Sequence, residues 1–255
     1  MTLEDLRNNK NIKLNNIYNC DCIEGMKFIP DNTVDCILCD LPYQMTKNSW
    51  DISIPLNILW DEYKRIIKTD GTIILFGNQP FSSHLVLSNL EMFKYSLVWE
   101  KNKFSDFMNA KKKPLKIHED ILIFYGNTHK YNPQYTIDKP YTKWNTQNAV
   151  DENTNYNQYN SSVSSSNGKR YPTTVLKFNR VPYPVHPTQK PTDLLEWLIL
   201  SYTNIGDVIL DNCIGSGSTG VAAINTKRNI IGFETSEEYY NIAVKRIKEA
   251  MNKLF

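Results

Sequence analysis

The sequence predicts an α/β fold, in which helices cover both faces of a largely parallel sheet. Strand-like apolar runs alternate with helix-like segments along most of the 255 residues, and this alternation is typical of a parallel sheet with crossover helices. Two runs end in polar, turn-forming residues: Asp40-Leu41-Pro42-Tyr43 follows Val34–Cys39, and a glycine loop follows Val208–Asp211. Ligands of open α/β sheets bind beyond the carboxyl ends of the strands. The two runs therefore predict both the fold class and the edge where a site should form.

Seven strands are expected from short apolar runs bounded by turn residues. They are Ile17–Cys20, Val34–Cys39, Thr72–Phe76, Tyr95–Trp99, Asp120–Tyr125, Val208–Asp211 and Ile230–Glu234. A short helix should join the first two strands, and apolar stripes predict four longer helices. These are Leu56–Lys68 (ended by Gly71), Thr192–Ile199, Thr219–Lys227 and a final helix to about Lys253. Thr235 and Glu238 have the spacing of a capping box that would open the final helix.

The composition is that of an ordinary globular protein. Hydrophobic residues make up 41% of the chain and charged residues 22%. No apolar stretch approaches the roughly 18 residues that a membrane span needs, and the N-terminus lacks the features of a signal peptide. We therefore expect a cytoplasmic protein that does not bind membranes. The net charge of +2 is too small to indicate a polyanionic partner by itself.

Four of the five cysteines form two close pairs, Cys20 with Cys22 and Cys36 with Cys39. Zinc sites show similar spacings. The second pair falls inside a predicted strand, however, where Cys36 and Cys39 would point to opposite faces. Small buried side chains are the better account of these residues. The sequence therefore predicts no metal site.

A lysine-rich segment lies between residues 101 and 116, and it contains Lys111, Lys112 and Lys113. Phenylalanines are interleaved with these lysines, a pattern that suits phosphate contacts and base stacking. A solvated loop is the alternative interpretation.

Residues 128–182 differ in composition from the rest of the chain. They are rich in Asn, Ser, Thr and Lys and show little apolar periodicity. They also contain aromatic residues, Tyr141 and Trp144 among them, which disordered linkers usually lack. We predict an insertion that becomes ordered on a partner.

The glycine loop Gly215-Ser216-Gly217 lies between a strand and a helix, where glycine lets the backbone approach a ligand closely. No lysine follows the loop, which argues against a P-loop. Glu234 stands at the tip of the next strand, where a carboxylate could accept both hydroxyls of a ribose. It could equally be an acid favoured by the dipole of the following helix. The two interpretations of Glu234 are compatible.

Taken together, the motifs resemble those of β-class amino-group DNA methyltransferases. Asp40-Leu41-Pro42-Tyr43 is similar to their catalytic [DNS]-P-P-[YF] motif, with Leu41 in place of the first proline. Val208–Asp211 and its glycine loop resemble their S-adenosylmethionine motif, with Cys213 where phenylalanine is usual. His186-Pro187-Thr188-Gln189-Lys190-Pro191 is similar to the segment that precedes that motif. The order of the motifs also matches that of the class.

The resemblance implies a Rossmann-like, seven-stranded methyltransferase sheet with an inserted target-recognition region. It implies site-specific transfer of a methyl group from S-adenosylmethionine to N6 of a flipped-out adenine in double-stranded DNA. The implied catalytic residues are Asp40, Leu41, Pro42 and Tyr43. The implied cofactor residues are Asp21, Thr188, Lys190, Asp211, Gly215, Gly217 and Glu234. The expected DNA contacts are Lys111, Lys112, Lys113, Tyr141 and Trp144. The implied domains are a catalytic half (1–127), the target-recognition insertion (128–182) and a cofactor-binding half (183–255).

In such an enzyme, Asp40 and the Leu41 carbonyl would each accept one N6 hydrogen. Pro42 would fix the turn, and Tyr43 would stack on the base. Phe76 and Trp99 could line the base pocket, although core packing is the simpler interpretation of both.

Several alternatives stay open at this point. The same fold and motif serve N4-cytosine methyltransferases and enzymes that modify RNA or protein glutamine, and Asp40 favours adenine over cytosine. A catalytically silent DNA-binding module or a nucleotide-dependent oxidoreductase would leave the motif at Asp40 unexplained. A cytosine-C5 enzyme is excluded, because its nucleophile is a cysteine beside a proline and the chain contains no Pro-Cys pair. A cognate restriction endonuclease and a second copy of the chain are further possible partners.

Overall fold

The computed structural model describes residues 1–9, 11–42, 54–144 and 163–253. The chain divides into two compact units. The larger unit comprises Met1–Asn132 and Thr174–Phe255, and the smaller one comprises Pro133–Thr173. The smaller unit falls inside the compositionally distinct segment, residues 128–182.

The described helices and strands are numbered here in chain order. The helices are α1 (Leu3–Asn9), α2 (Cys22–Met26), α3 (Leu56–Ile66), α4 (Phe81–Ser88), α5 (Thr192–Tyr202), α6 (Ser218–Asn225) and α7 (Glu237–Asn252). The strands are β1 (Asn16–Asn19), β2 (Val34–Cys39), β3 (Ile67–Gly77), β4 (Phe93–Ser105), β5 (Lys116–Phe124), β6 (Thr136–Ile137), β7 (Tyr141–Trp144), β8 (Val163–Ser166), β9 (Lys169–Arg170), β10 (Val175–Lys177), β11 (Val208–Asp211) and β12 (Asn229–Glu234).

The larger unit contains an eight-stranded sheet in the order β1-β12-β11-β2-β3-β5-β4-β10. The first five strands in this order are mutually parallel. Strand β5 runs antiparallel to both of its neighbours, and β10 is parallel to β4. The predicted α/β fold with a mainly parallel sheet is confirmed. In the smaller unit, two antiparallel pairs form, β6 with β9 and β7 with β8.

Strand β2 shows how the sheet is buried on both faces. All six of its residues are buried. Ile37 and Cys39 belong to the hydrophobic cluster on one side of the sheet, and Cys36 and Leu38 belong to the cluster on the other. The prediction that Cys36 and Cys39 point to opposite faces is therefore confirmed. Burial on both faces explains why the run reads as continuously apolar.

The eighth strand, β10, has no counterpart among the seven predicted. It has three residues, and only Leu176 among them is buried. It pairs with β4 through Val175 opposite Val98 and Lys177 opposite Glu100. A three-residue edge strand is too short to produce a periodic signal, so its formation depends on the strand beside it.

Several predicted boundaries were wrong. Strands β4 (Phe93–Ser105) and β5 (Lys116–Phe124) both begin before their predicted starts, and β4 also continues beyond its predicted end. Helix α3 ends at Ile66 and strand β3 begins at once, five residues before the predicted strand start at Thr72. The early start is stabilised by pairing of Ile67 with Val34. The final helix is capped by Ser236, whose hydroxyl accepts a hydrogen bond from Tyr239 N, and not by Thr235.

Within the described residues, no helix is both long and apolar enough to cross a membrane.

Candidate active site

Four acidic residues lie at neighbouring strand ends in the larger unit. Asp21 follows β1, Asp40 follows β2, and Asp211 and Glu234 are the last residues of β11 and β12. These strands are consecutive and parallel in the sheet, so their carboxyl ends meet at one edge. All four side chains line one cavity of about 520 Å³. A cavity of that size suits a small-molecule ligand, since such sites typically measure roughly 300–1,000 Å³.

Other residues that the sequence analysis identified as candidates also line the cavity. Leu41, Pro42, Thr188, Lys190 and Gly215 line it, although they come from segments far apart in the chain. The sequence allowed two interpretations of Phe76, as a wall of the base pocket or as a core residue. Its side chain is 1% exposed, and it still forms part of the cavity wall. Trp99 is a core residue and does not line the cavity: its indole nitrogen donates to the Phe178 carbonyl at 2.9 Å.

The Asp40 carboxylate is bonded on one side only. Its Oδ2 accepts a hydrogen bond from Lys190 Nζ. Its Oδ1 is buried and has no hydrogen-bond partner among the described residues. Leu41 is 2% exposed and Pro42 is partly buried beside it. Tyr43 lies outside the described residues. The cavity therefore contains one buried carboxylate oxygen that is available to a donor on a ligand.

Lys190 connects Asp40 to a second carboxylate, Glu119. The distance from Lys190 Nζ to Glu119 Oε2 is 3.4 Å. Lys101 Nζ donates to Glu119 Oε1 on the other side. The four side chains form an alternating row of cation and anion, Lys101–Glu119–Lys190–Asp40, with side-chain exposures of 9, 13, 8 and 19%. We call this arrangement the charge row.

The charge row sets the protonation behaviour of its carboxylates. Burial raises the pKa of the Asp40 carboxyl above its ordinary value, although Lys190 acts in the opposite direction. Burial would also raise the pKa of Glu119, but Lys190 and Lys101 together lower it overall. Asp40 is therefore the more easily protonated of the two.

The other acidic residues bond to backbone groups. Asp21 caps helix α2, since its Oδ1 accepts from Glu24 N at 3.0 Å. Asp211 Oδ1 accepts from Cys213 N at 3.1 Å, and burial raises the pKa of the Asp211 carboxyl to about 6.

Glu234 bonds to two backbone N–H groups. Its Oε2 accepts from Gly215 N at 2.9 Å, and its Oε1 accepts from Ser236 N at 2.8 Å. Burial raises the pKa of the Glu234 carboxyl. This acid therefore ties the glycine loop to the start of α7, while it also lines the cavity. Both interpretations of Glu234 agree with these contacts.

The two glycines of the loop have different reasons to be glycine. Gly215 lines the cavity at φ +53°, a conformation that favours glycine, and a Cβ there would lie 3.8 Å from the His186 ring. Gly217 has φ +84°, and a Cβ there would lie 2.8 Å from Ala243 Cα on α7. Gly217 is not among the cavity-lining residues. Both this positive φ and the close packing of α6 against α7 favour glycine at this position.

His186 is a cavity residue that the sequence marked only as part of a motif. It is 8% exposed, and its ring meets the Tyr239 ring edge-on at a centroid distance of 4.2 Å. Its Nδ1 accepts a hydrogen bond from Thr188 N at 3.2 Å. Burial, together with the nearby Lys190 charge, lowers the pKa of His186 to about 4. The imidazole is therefore neutral at ordinary pH.

Glu119 does not line the cavity, but its ion pair with the cavity residue Lys190 was missed by sequence reasoning. Glu119 lies early in β5, and the carboxyl-edge rule considers only the ends of parallel strands. Because β5 is antiparallel, with Asp120 opposite Gly77 at the end of β3, its beginning lies at the same edge as the ends of β2 and β3. An antiparallel assignment of β5, had it been made, would have directed attention to Glu119.

The predicted DNA-contact residues lie outside the cavity. Lys111, Lys112 and Lys113 are exposed in the turn between β4 and β5, just after a 3₁₀ helix at Phe107–Asn109. In the smaller unit, Tyr141 begins β7, and the Arg170 guanidinium lies 4.8 Å from its ring centroid. Trp144 closes the same strand, and its side chain is outside the described part of the structure.

Among the described residues, no group of three or more His, Cys, Asp or Glu side chains could hold a metal ion.

Comparison with known proteins identifies the family. A family model described as DNA methylase (N6_N4_Mtase) matches residues 34–245. DNA adenine methyltransferase YhdJ of Escherichia coli strain K12 is 31% identical over 252 residues, which cover 92% of this chain and 83% of that protein. Type II methyltransferase M.HpaI of Haemophilus parainfluenzae is 26% identical and covers 91% of this chain and 74% of its own length.

Among solved structures, the PvuII cytosine-N4-specific DNA methyltransferase matches with a TM-score of 0.66 and 13% identity, covering 96% of this chain and 93% of its own. This likeness concerns the fold, and it agrees with the observed sheet. The family match and the likeness to YhdJ confirm the resemblance drawn from the motifs at Asp40, Lys190 and Gly215. The chain belongs to the N6_N4_Mtase family of DNA methylases.

Proposed function

We propose that this protein transfers a methyl group from S-adenosylmethionine to N6 of an adenine in double-stranded DNA. The observation that carries the proposal is the open Oδ1 of Asp40, a buried acceptor without a described donor at the wall of the cavity. A buried polar atom left without a hydrogen bond costs roughly 1–3 kcal/mol. An exocyclic amino group is a donor of the kind that would satisfy it.

The N6 amino group is a poor nucleophile, because its lone pair is delocalised into the ring. Asp40 Oδ1 would accept one N6 hydrogen and the Leu41 carbonyl the other, which draws the nitrogen toward tetrahedral geometry and aims its lone pair. Pro42 would fix the turn that presents this carbonyl, and Tyr43 would stack on the base. Positioning of this kind supplies much of the acceleration in a direct displacement.

S-adenosylmethionine supplies a methyl group made electrophilic by the sulfonium. Glu234 would accept the ribose hydroxyls, Asp21 would lie near the adenine ring, and Asp211 and Thr188 would lie near the methionine moiety. The cavity offers acidic acceptors at successive strand ends and a close backbone approach at Gly215, which fits a cofactor with hydroxyl and ammonium donors.

Two of the residues expected to bind the cofactor receive different roles. Gly217 supports the site through the packing of α6 on α7. Lys190 acts on Asp40 through the charge row. Each assignment follows from the contact described for that residue.

The target base must leave the duplex to reach a cavity of this kind. Phe76 provides an aromatic wall there, with Lys190 Nζ 4.9 Å from its ring centroid. The adenine ring would stack on Tyr43, and stacking on an aromatic side chain is the usual way in which flipped bases are held.

Contacts to DNA are proposed for two regions. Lys111, Lys112 and Lys113 would neutralise phosphates, and the exposed Phe107 and Met108 lie in the same turn. Residues 128–182, with Tyr141 and Trp144, would read the target sequence between the catalytic half (1–127) and the cofactor-binding half (183–255).

Three further proposals concern the location and the partners of the enzyme. The enzyme works in the cytoplasm, where bacterial DNA is found. It acts beside a restriction endonuclease of the same specificity, and it forms a homodimer. Sedimentation of the purified protein with and without DNA tests the dimer, and digestion of unmethylated DNA by extracts of the source cells tests the endonuclease.

The function is tested by sequencing genomic DNA with modified-base detection, from cells that express the protein or its Asp40→Ala variant. N6-methyladenine at one short motif, present only with the intact protein, is the expected result. Detection of N4-methylcytosine instead would support the same active site and would change the target base from adenine to cytosine. No new modification, from a protein that still binds S-adenosylmethionine, would contradict DNA as the substrate.

A further inference from the structure

Lys190 lies between two buried carboxylates, and the one farther from the proposed target base is Glu119. The ammonium pairs with Asp40 Oδ2 and lies 3.4 Å from Glu119 Oε2, while Lys101 pairs with Glu119 Oε1. A buried charge is costly unless it is paired. Each of these charges has an opposite charge beside it, and the row as a whole is neutral.

We propose that Glu119 is a positioning residue for methyl transfer: it holds Lys190 so that the ammonium pairs with Oδ2 of Asp40 and leaves Oδ1 open to the N6 amino group. The inference rests on the proposed function, because it assigns a role to Glu119 in that same reaction. Glu119 itself touches neither base nor cofactor in this account.

The reason lies in the chemistry of lysine. A lysine ammonium is a compact charge with three donors on a flexible stem. With Asp40 as its only anionic neighbour, it would be drawn over the whole carboxylate, where it would compete with the N6 amino group for Oδ1. A second carboxylate on the other side divides this attraction and fixes the ammonium between the two acids.

The surroundings of Glu119 suit it to this role. It belongs to β5, an interior strand of the sheet, where Glu119 is paired with Trp99 of β4. Lys101, which holds its other oxygen, lies over the Trp99 ring at 4.7 Å. Lys190 lies 4.9 Å from the Phe76 ring centroid, and cation–π attraction also restrains the ammonium. The carboxylate thus stands on a rigid element and is held through Oε1 by Lys101, while its Oε2 has Lys190 as an ion-pair partner at 3.4 Å and no hydrogen bond among the described residues.

The charges that face Asp40 determine how pH should act. Lys190, Lys101 and Glu119 face it from the charge row, and Asp211 faces it from β11. Beyond these, Lys116 acts on Glu119 and Lys101, Arg180 acts on Lys101, and the neutral His186 lies near Lys190. These outer groups are unchanged in the variants below, so differences between variants report the charge row.

The experiment measures kcat, the dissociation constant for S-adenosylmethionine and the pH profile of kcat, with duplex DNA as substrate. The variants are Glu119→Gln, Lys190→Gln and Glu119→Asp. Glu62→Gln is the matched control, because Glu62 is also a partly buried acid in an ion pair, with Arg65 on α3, and does not line the cavity. Melting temperatures show whether each variant is folded at the assay temperature.

The Glu119→Gln variant should lose about 10²-fold in kcat, as displaced catalytic groups do, with S-adenosylmethionine binding unchanged. The acid limb of its pH profile, the range over which kcat falls as the pH is lowered, should move to lower pH by about one unit, because a negative charge near Asp40 is gone. Lys190→Gln should move the acid limb to higher pH, since Asp40 loses its cation. Glu119→Asp should return the limb to its wild-type position, and Glu62→Gln should match the wild type throughout.

The position of the acid limb reports the charge of Glu119, and the loss of kcat at unchanged S-adenosylmethionine binding reports its positioning of Lys190. A merely structural role for Glu119 would lower the melting temperature and leave kcat per folded molecule in place. The proposal is overturned if the folded Glu119→Gln variant keeps kcat within twofold of the wild type, or if its acid limb does not move. Absence of transfer by the wild-type protein would instead overturn the proposed function, and this inference with it.

Discussion

Two aspartates lie at opposite ends of strand β2, and their carboxylates differ in how many hydrogen-bond donors they have. Asp35, near the amino end, is 1% exposed and fully bonded. It accepts from Lys68 Nζ at 2.8 Å, from Lys130 Nζ at 2.7 Å and from Val208 N at 2.9 Å. Asp40, just beyond the carboxyl end, has Lys190 on one oxygen and no described donor on the other.

The pKa values of the two carboxyl groups are also shifted in opposite directions. Burial would raise the pKa of Asp35, but hydrogen bonds from Lys130, Lys68 and Val208 N lower it overall. Burial raises the pKa of Asp40 despite Lys190. A completed set of donors stabilises the charge of Asp35 and joins β2 to its neighbours. An incomplete set leaves Asp40 with an unused acceptor, which is what a ligand-binding group requires.

The largest expected effect is on catalysis. Replacing Asp40 by alanine removes the acceptor for N6 and should lower the single-turnover rate of methyl transfer by about 10³-fold, the upper end for loss of one pre-positioned hydrogen-bonding group. The free energy of unfolding should change by no more than about 1 kcal/mol, since Lys190 keeps Glu119 as a partner. Rapid-quench transfer assays and urea denaturation measure the two quantities. An inactive variant that is also unfolded would remove the contrast with Asp35.

The converse variant, Asp35→Asn, should act on stability. It removes the negative charge between Lys68 and Lys130. Because Lys130 keeps Asp207 at 2.8 Å and Lys68 is partly exposed, the free energy of unfolding should fall by about 2 kcal/mol, the cost of losing hydrogen bonds to a charged group. The rate of transfer per folded molecule should be unchanged, because Asp35 does not line the cavity. Urea denaturation combined with active-site titration tests this expectation. A fall in transfer rate at full folding would show that the two ends of β2 are not independent.

Lowering the pH should separate the two groups. Asp40 must be ionised to accept an N6 hydrogen, so transfer should decline as the pH falls through its raised folded-state pKa. Asp35 has a lowered folded-state pKa, so its contribution to stability is present above the unfolded-state pKa and is lost only as the pH falls through the lower folded value. As the pH falls, the rate of transfer should therefore decline at a higher pH than the contribution of Asp35 to the free energy of unfolding. Parallel pH titrations of kcat and of the free energy of unfolding check the order, which would be reversed if Asp35 were the group in control.

Glu234 is intermediate between Asp35 and Asp40 in how fully its carboxylate is hydrogen-bonded, and its replacement should have the smallest effect of the four changes. Its two oxygens each accept one backbone N–H, yet a carboxylate can accept more than two hydrogen bonds. Glu234→Gln should weaken S-adenosylmethionine binding about tenfold, in line with loss of a hydrogen bond to a charged group. The free energy of unfolding should fall by about 1 kcal/mol. Calorimetric titration measures the binding, and unchanged affinity would make Glu234 a structural residue like Asp35.

The sequence predicted the parts of the site that depend on position along a strand. Asp40, Asp211 and Glu234 were found because each follows or ends an apolar run, and such runs are visible without a structure. Pairing between distant strands was not visible. Strand β10 exists only beside β4, and Glu119 reaches the site only because β5 runs antiparallel.

Contacts between side chains were hidden for the same reason. The motif around Lys190 suggested a cofactor contact, which stays a prediction; Lys190 lines the cavity, and its pairing with Asp40 was not visible in the sequence. Gly217 was predicted to approach the cofactor, and its neighbour in the fold is Ala243. Residue type and spacing indicate where a chain turns, but the partner of a buried side chain depends on which elements pack together.

The central claim is that Asp40 Oδ1 accepts a hydrogen from the N6 amino group of the target base. It is tested most directly by a double-mutant cycle on DNA binding in the presence of a non-reactive cofactor analogue. One arm replaces Asp40 by alanine, and the other replaces the target adenine by purine, which lacks the amino group. A coupling of about 1.5–3 kcal/mol, the strength of a hydrogen bond to a charged group, is the predicted result. Additive effects of the two changes would contradict the claim.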